Sequence, residues 1–222
     1  MTRDELIQEF RVQTQDLIDP YLWRTPWVAN WLEEAEAEAC IRGRLLHVAD
    51  DPALCEIAIA PGQRVYPLHP MLYELDHLGI KEAGEARRRP VRLVSTEYLD
   101  AHLPDWRDRS GRVEYVVQDD TSLRLVPTPT AAGTLLLEGY RLPLGSLTAS
   151  GSARPEINDA HHRHLIDWAL FRAFSMPTAE TLDLTRAQVA AQAFERYFGP
   201  RPDSDLRRIT REDVEHHNTA WI

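Results

Sequence analysis

The stretch RVEYVVQDDTSLRLVPTPTAAGTLLLEGYRLPL, residues 112–144, carries the clearest structural pattern in the chain. Apolar side chains alternate along its first part and again after the Asp-Asp-Thr sequence at 119–121, which is typical of a turn, so this part predicts a β-hairpin. Prolines and a glycine then mark a looser reversal. Residues 134–140 form a β-rich run that is apolar on both faces, as in a strand covered on both sides. Together these features predict a three-stranded meander.

Helical patterns lie on both sides of this stretch. Thr2 and Glu5 fit a capping box at the start of one helix, and Thr25 followed by a proline fits the start of a second. Pro177 forces a break between two later helices, which we expect to form an αα-hairpin. The predicted helices span residues 3–17, 25–44, 156–176 and 184–198.

The region between the two helix pairs, residues 45–144, is predicted to be a β-rich insertion. Its strand patterns cover residues 54–59, 65–67, 77–83 and 91–94, in addition to the meander. The first two flank a Pro-Gly turn and are expected to form a hairpin. Ser95 begins a short helix. After the insertion, residues 145–156 are small and polar, which is typical of a flexible link.

The predicted fold class is therefore α+β. A helical bundle, made of the N-terminal helix pair and the C-terminal αα-hairpin, carries an antiparallel β-rich insertion and an extended C-terminal arm. We expect residues 1–199 to form a single domain and residues 200–222 to form the arm. A chain of 222 residues with 43% hydrophobic content can bury one substantial core.

The charge balance argues against a general nucleic-acid binder. The formal net charge is −10, whereas phosphate contacts need a basic surface. An acidic surface suits ordinary solubility, and it also suits a channel through which DNA slides without sticking. Two cysteines are too few for a disulfide framework. No apolar run is long enough to span a membrane and the N-terminus lacks the apolar core of a signal peptide, so we expect a soluble, unsecreted protein.

The sharpest enzymatic candidate is the histidine cluster at 161–164. On a helix, His161 and His164 lie one turn apart and could share a metal with Asp159 or Asp167. Such clusters are more often surface or interface features. The sequence has no GxSxG, phosphate-loop or dinucleotide-binding motif, and neither cysteine lies in a catalytic motif. We therefore predict no catalytic residues, no cofactor and no metal, and the protein is expected not to be an enzyme.

Two further features have alternative interpretations. The tryptophans could form a platform for sugars or bases, although Trp27 and Trp31, one helical turn apart, better fit a stripe that faces the core or a neighbouring subunit. The C-terminal arm has little periodicity, and ordering it costs about 1 to 2 kcal/mol per residue, so it stays loose or docks on a partner. The arm residues predicted to bind a partner are Arg207, Arg208, Arg211, His216, His217, Trp221 and Ile222.

The order of these parts resembles the head-to-tail adaptor (connector) proteins of tailed bacteriophages. The resemblance is carried by DELIQEFR and WLEEAEAEACIRGRLL in the first helix pair, VQDDTSLRLVPTP and GTLLLEGYRLPL in the insertion, INDAHHRHLIDWALFRAFSMP in the second helix pair, and FGPRPDSDLRRITRED in the arm. It extends over nearly the whole chain, although these are structural patterns in which no single residue carries out chemistry.

The resemblance implies a structural protein of the virion neck that assembles in the host bacterial cytoplasm. It implies a homo-oligomeric ring, a dodecamer, which lies beneath the portal protein, prolongs the DNA channel and offers a surface to a tail or stopper protein. DNA would pass without sequence-specific binding, no membrane would be involved, and the arm would bind the portal. The loops of the insertion are expected to contact a neighbour, the tail or the channel through Asp119, Asp120, Thr121, Thr130 and Gly133.

Two alternatives remain open from the sequence. The chain could be another neck component, such as a stopper or a tail-completion protein, because these share most of the same composition. It could also be a metal-dependent enzyme that uses His161 and His164.

Overall fold

The computed structural model describes residues 1–178 and 181–202. These residues form two compact units. The helical unit contains Met1–Leu46 and Leu142–Arg201, and the sheet unit contains His47–Arg141. The predicted α+β class, with helices on both sides of a β-rich insertion, is confirmed, and the predicted insertion limits of 45 and 144 lie within three residues of the unit boundaries. That both units belong to a single domain stays a prediction.

The described residues contain six α-helices and one 3₁₀ helix, and none of them is long and apolar enough to cross a membrane. The helices are α1 (Arg3–Thr14), α2 (Thr25–Gly43), α3 (Pro52–Cys55), α4 (Thr96–His102), the 3₁₀ helix (Asp159–His164), α5 (Leu165–Phe174) and α6 (Leu184–Phe198).

Eleven strands are present in the same part of the chain. They are β1 (His47–Val48), β2 (Glu56–Ile59), β3 (Val65–Pro67), β4 (Leu72–Glu82), β5 (Arg89–Pro90), β6 (Arg92–Leu93), β7 (Ser110–Gly111), β8 (Tyr115–Gln118), β9 (Ser122–Val126), β10 (Thr128–Pro129) and β11 (Gly133–Arg141).

Local signals define the helix ends. The predicted capping box is confirmed at α1, where the Thr2 hydroxyl accepts from the Glu5 N–H and the Glu5 carboxylate accepts from the Thr2 N–H. The predicted extension of α1 to residue 17 is wrong, because Gln15 adopts a left-handed conformation and ends the helix at Thr14. Helix α6 spans the predicted residues, and its pairing with α5 confirms the αα-hairpin.

The predicted helix over 156–176 is divided. Its first turns form the 3₁₀ helix, in which the Asn158 side chain accepts from the Ala160 N–H, and the α-helix begins only at Leu165. The buried His162 ring bonds the carbonyl of Ile157 through Nε2 at 2.9 Å. This bond draws the ring inward and ties it to the residues that precede the helix.

The segment at 145–156 is not a loosely attached link. Leu147 is buried in the core of the helical unit. The backbone N–H groups of Arg3 and Asp4 donate to the carbonyls of Ala153 and Gly151, at 2.7 and 3.1 Å. The polar residues of this segment are therefore explained by hydrogen bonds to the helices and not by flexibility.

The core of the helical unit is built from both ends of the chain. Phe10 of α1 packs edge-to-face on Trp23, and Trp23 packs in the same way on Phe174 of α5. Phe194 of α6 contacts Trp168. These aromatic contacts join α1, α5 and α6 around the buried apolar face of α2.

Strand β11 organises the larger sheet, whose path is β1-β11-β4-β5, with β2 also paired to β11. The hairpin formed by β8 and β9 is confirmed, but the three-stranded meander is wrong, since β11 pairs with β4 rather than with β9. Pro127 and Pro129 have no N–H to continue a ladder, so the chain leaves the sheet of β9 before β11 begins. Along β11, buried Leu135 and Leu137 alternate with half-buried side chains.

The second sheet has the order β3-β9-β8-β6. The predicted hairpin between residues 54–59 and 65–67 is wrong, because β2 pairs with β11 and β3 pairs with β9. In the Pro-Gly turn between β2 and β3, the Gly62 N–H donates a hydrogen bond to the Pro129 carbonyl at 2.8 Å. The insertion is also not wholly antiparallel, since β6 with β8 and β7 with β10 are parallel pairs.

A substitution at Gly139 tests the pairing of β11 with β4. Gly139 lies between two register shifts, and a Cβ placed on it would meet the Glu74 carbonyl oxygen at 2.2 Å and the Leu75 Cα at 2.8 Å. We expect Gly139→Ala to destabilise the protein by about 1 to 3 kcal/mol, because backbone must move to admit the methyl group. Urea unfolding measures the change. The matched control is Gly145→Ala, where the nearest contact is a flexible Glu156 side chain at 3.4 Å; an equal loss in both variants would contradict the prediction.

Candidate interaction surfaces

The loop residues predicted to contact a partner lie in two places in the sheet unit. Asp119, Asp120 and Thr121 are exposed in the turn between β8 and β9, and Thr130 is exposed between β10 and β11. Gly133 does not lie in a loop. It is the first residue of β11 and pairs with Ile59 and Glu82, where its lack of a side chain allows close approach of the neighbouring strand. That these loops bind a partner stays a prediction.

The predicted arm contacts lie outside the described residues. They are Arg207, Arg208, Arg211, His216, His217, Trp221 and Ile222. The point at which the arm leaves the helical unit is described. The carboxylate of Glu38, which is nearly buried, lies 2.9 Å from the Arg42 guanidinium and 3.3 Å from that of Arg201. Arg42 also donates to the Gly199 carbonyl at 3.3 Å, so α2 fixes the chain just beyond α6.

The histidine cluster packs against α6 instead of forming a ligand set. The His161 Nδ1 lies 3.0 Å from the Tyr197 hydroxyl, and the His164 ring stacks on the Tyr197 ring with a centroid separation of 3.5 Å. Within residues 1–178 and 181–202, no group of three or more His, Cys, Asp or Glu side chains is placed to hold a metal ion.

The two tryptophans of α2 do not form one stripe. Trp31 is buried against Phe10, with a centroid separation of 6.4 Å. Trp27 is 38% exposed and lies beneath the guanidinium of Arg24. The core interpretation therefore holds for Trp31 alone.

The α1–α2 loop, residues 15–24, is a structural feature that the sequence patterns missed. Arg11 is buried, and its guanidinium donates to the Asp16 carboxylate at 3.0 Å, the Trp23 carbonyl at 3.3 Å and the Thr25 hydroxyl at 2.9 Å. Asp16 in turn accepts from the Leu22 and Trp23 N–H groups, at 2.9 and 3.2 Å. This network fixes both ends of the loop.

The tip of this loop is apolar and faces solvent. Leu17, Ile18 and Leu22 are exposed, and Ile18, at 82%, is the most exposed large hydrophobic side chain among the described residues. The helix predicted over residues 3–17 included Leu17 and ended next to Ile18. The signal that could have placed them in a loop is the pair Asp16 and Asp19, which flanks them with turn-forming residues.

An open groove lies between α5 and α6, beside the end of α1. It has a volume of about 310 Å³, and its apolar lining is Leu170, Phe174, Val189, Ala190 and Ala193. Asp167 and Arg186 contribute polar groups. The Arg186 guanidinium lies 3.9 Å from the Phe174 ring centroid, and burial raises the pKa of Asp167. We call this the α5–α6 groove.

The loop tip and the groove lie at the same end of the helical unit. Phe174 lines the groove and also contacts Trp23 of the α1–α2 loop, while its carbonyl accepts from the Asp183 N–H that precedes α6. Leu182 and Leu184, on either side of Asp183, are exposed as well. Scattered exposed leucines need no explanation, but a group of this kind is typical of an interaction site.

Comparison with known protein families identifies the family to which this chain belongs. A family model for the SU10 adaptor protein matches residues 1–215. The chain belongs to this family. It is a family of phage head-to-tail adaptors, so the adaptor described here is a structural component of a phage virion, and the resemblance noted in the sequence is confirmed. A search of curated proteins finds no match.

Two carboxylates of α2, one buried and one half-buried, hold residues 146–157 against this helix. Glu36 is almost completely buried and accepts from the N–H groups of Glu156 at 2.5 Å and Ile157 at 3.4 Å. Glu33 accepts from the Ser146 hydroxyl at 2.6 Å and the Thr148 N–H at 3.1 Å. The glutamates of α2 thus have one buried, structural side.

Glu36 makes stability depend on pH. Burial raises the pKa of Glu36 to about 7, with smaller contributions from the nearby charges of Glu156 and Glu33, and the two N–H donors oppose the rise. A carboxyl whose pKa is higher in the folded state binds its proton more tightly there. The stabilisation that Glu36 gives the folded state is therefore largest below about pH 4.5 and is lost as the pH rises through about 7.

We expect Glu36→Gln to remove this dependence, because the amide keeps an acceptor for the two N–H groups and does not ionise. Relative to the wild type, the variant gains about 3 kcal/mol between pH 4.5 and pH 8, measured as unfolding free energy in urea. Glu34→Gln, which removes an exposed carboxylate paired with Arg172 from the same helix, is the matched control. A Glu36→Gln profile parallel to that of the wild type would rule out the titration of this group.

Proposed function

We propose that the adaptor forms a ring beneath the portal, prolongs the DNA channel and connects the head to the tail. The observation that carries this proposal is the family match over residues 1–215, which includes both units and most of the predicted arm. The ring is proposed to be a dodecamer located in the virion neck and assembled in the host bacterial cytoplasm. Its proposed partners are the portal protein and a tail or stopper protein.

The electrostatics of the sheet unit support passage of DNA without sequence-specific binding. The net charge of the chain is −10, and several arginines of this unit are paired with carboxylates of the same unit. Paired guanidiniums hold phosphates less well than a basic patch does. The pairs are Arg88–Glu138, Arg89–Glu82, Arg107–Asp100, Arg109–Asp105, Arg112–Glu85 and Arg124–Asp119.

The arm is proposed to be the portal-binding element. The Glu38, Arg42 and Arg201 contacts fix the start of the predicted arm, so the arm is attached at a defined place on the helical unit. Arg207, Arg208 and Arg211 provide charge, and Trp221 and Ile222 provide apolar area. Arginine and tryptophan are enriched at protein interfaces.

Deleting residues 203–222 tests this proposal while keeping Arg201 and its contact with Glu38. We expect the truncated adaptor to retain its melting temperature and to lose attachment to portal-bearing heads. Co-sedimentation with purified DNA-filled heads measures attachment. A shorter deletion that removes only Trp221 and Ile222 separates the apolar end from the arginines. Attachment of the truncated protein at the wild-type level would contradict the proposed role of the arm, and binding to tails alone would favour a stopper or tail-completion role.

A further inference from the structure

The α1–α2 loop tip and the α5–α6 groove are both apolar. The tip projects Leu17, Ile18 and Leu22, and the groove offers an apolar recess of about 310 Å³. Ile18 is 82% exposed, so the tip of a subunit does not fill the groove of the same subunit. The loop tip and the α5–α6 groove are therefore both accessible on each subunit.

The groove holds a carboxylate, Asp167, as well as the guanidinium of Arg186, and the guanidinium is opposite in charge to the tip. Asp19 follows the apolar tip and is exposed, and Arg186 lies at the groove, stacked on Phe174. Placing the tip in the groove brings a carboxylate toward a guanidinium, which is the favoured pairing at an interface. The apolar core of the contact would then be bordered by opposite charges.

Both ends of the loop that carries the tip are fixed within the subunit. Arg11 and Asp16 make five hydrogen bonds at 2.9 to 3.3 Å to each other and to the residues at the loop's end, and the Arg11 guanidinium lies 3.4 Å from the Tyr21 ring centroid. A surface that is ordered in advance loses less conformational entropy on binding.

We propose that the loop tip of one subunit inserts into the α5–α6 groove of the next copy of the chain. This inference rests on the proposed ring and names the surfaces that join its subunits. Each tip enters the groove of the next subunit in one direction only, so the proposed contact is heterologous, and such contacts generate rings when the rotation closes. A second copy is favoured over other occupants because this chain itself supplies both the apolar tip with its carboxylate and the apolar groove with its guanidinium.

Paired charge insertions test the contact. Ile18→Asp changes the tip and Val189→Asp changes the groove, and both positions are exposed, at 82% and 64%, so the fold should tolerate the change. We expect each variant to self-associate about tenfold or more weakly than the wild type in sedimentation velocity. Leu144→Asp, at a 51% exposed position of the same unit, is the matched control and should assemble normally. Circular dichroism and melting temperature verify folding.

Mixing the two variants gives the sharpest result. The Val189→Asp subunit keeps an intact tip and the Ile18→Asp subunit keeps an intact groove, so together they form one native contact. We expect a 1:1 complex that grows no further, whereas the wild type proceeds beyond a dimer. No complex in the mixture, assembly of either variant at the wild-type level, or a wild type that stays monomeric up to its solubility limit would each overturn the proposal.

Head and tail binding separate this inference from the proposed function. If the variants self-associate normally and yet fail to bind heads, the surface belongs to the portal contact and the inference is wrong, while the neck role stands. If the wild type binds neither portal-bearing heads nor tails, the neck role itself fails.

Discussion

A buried guanidinium must find hydrogen-bond acceptors inside the protein, and the side chain of Arg11 does so by shaping the chain around it. Its partners are Asp16, the Trp23 carbonyl and the Thr25 hydroxyl, which bracket the whole α1–α2 loop. Loss of one partner of such a pair costs about 3 to 5 kcal/mol, because the remaining charge is left uncompensated. The shape of the loop is thus set by the need to neutralise one residue.

The rest of the helical unit depends on this arrangement. With Trp23 held by its backbone, its ring can meet Phe10 on one side and Phe174 on the other, and this joins the first helix to the C-terminal pair. Helix α2 begins where Arg11 reaches the Thr25 hydroxyl. The same constraint leaves Leu17 and Ile18 without a place in the core, and it explains why apolar side chains remain in solvent at the end of a well-packed unit.

The sequence predicted the elements better than their partners. Helix α6, the capping box of α1 and the β8–β9 hairpin follow from short-range signals, and each is present. Strand partners are not encoded locally, since a Pro-Gly turn reverses the chain without specifying what the next strand will meet. For this reason β2 and β3 were paired with each other in the prediction, although each lies against a strand from much later in the sequence.

The interaction surfaces were predictable to a smaller degree. The β8–β9 turn could be identified because turn residues have local preferences, and the order of the parts was enough to suggest the family. The tip and the groove could not, because exposure of Leu17 or Val189 results from how other side chains fill the core. An apolar residue on a predicted helix is assigned to the interior by default, and only packing shows that the interior is already full.

The division of the helical unit into two chain segments has a consequence for biosynthesis. The sheet unit is continuous from His47 to Arg141, so a ribosome completes it well before it has made α5 and α6. Helices α1 and α2 are translated first, and the apolar core that contains Phe10 and Trp31 is incomplete until α5 and α6 have been made. We therefore expect the sheet unit to fold before the helical unit during synthesis, since the surfaces at the end of the helical unit need α5 and α6, which are translated late.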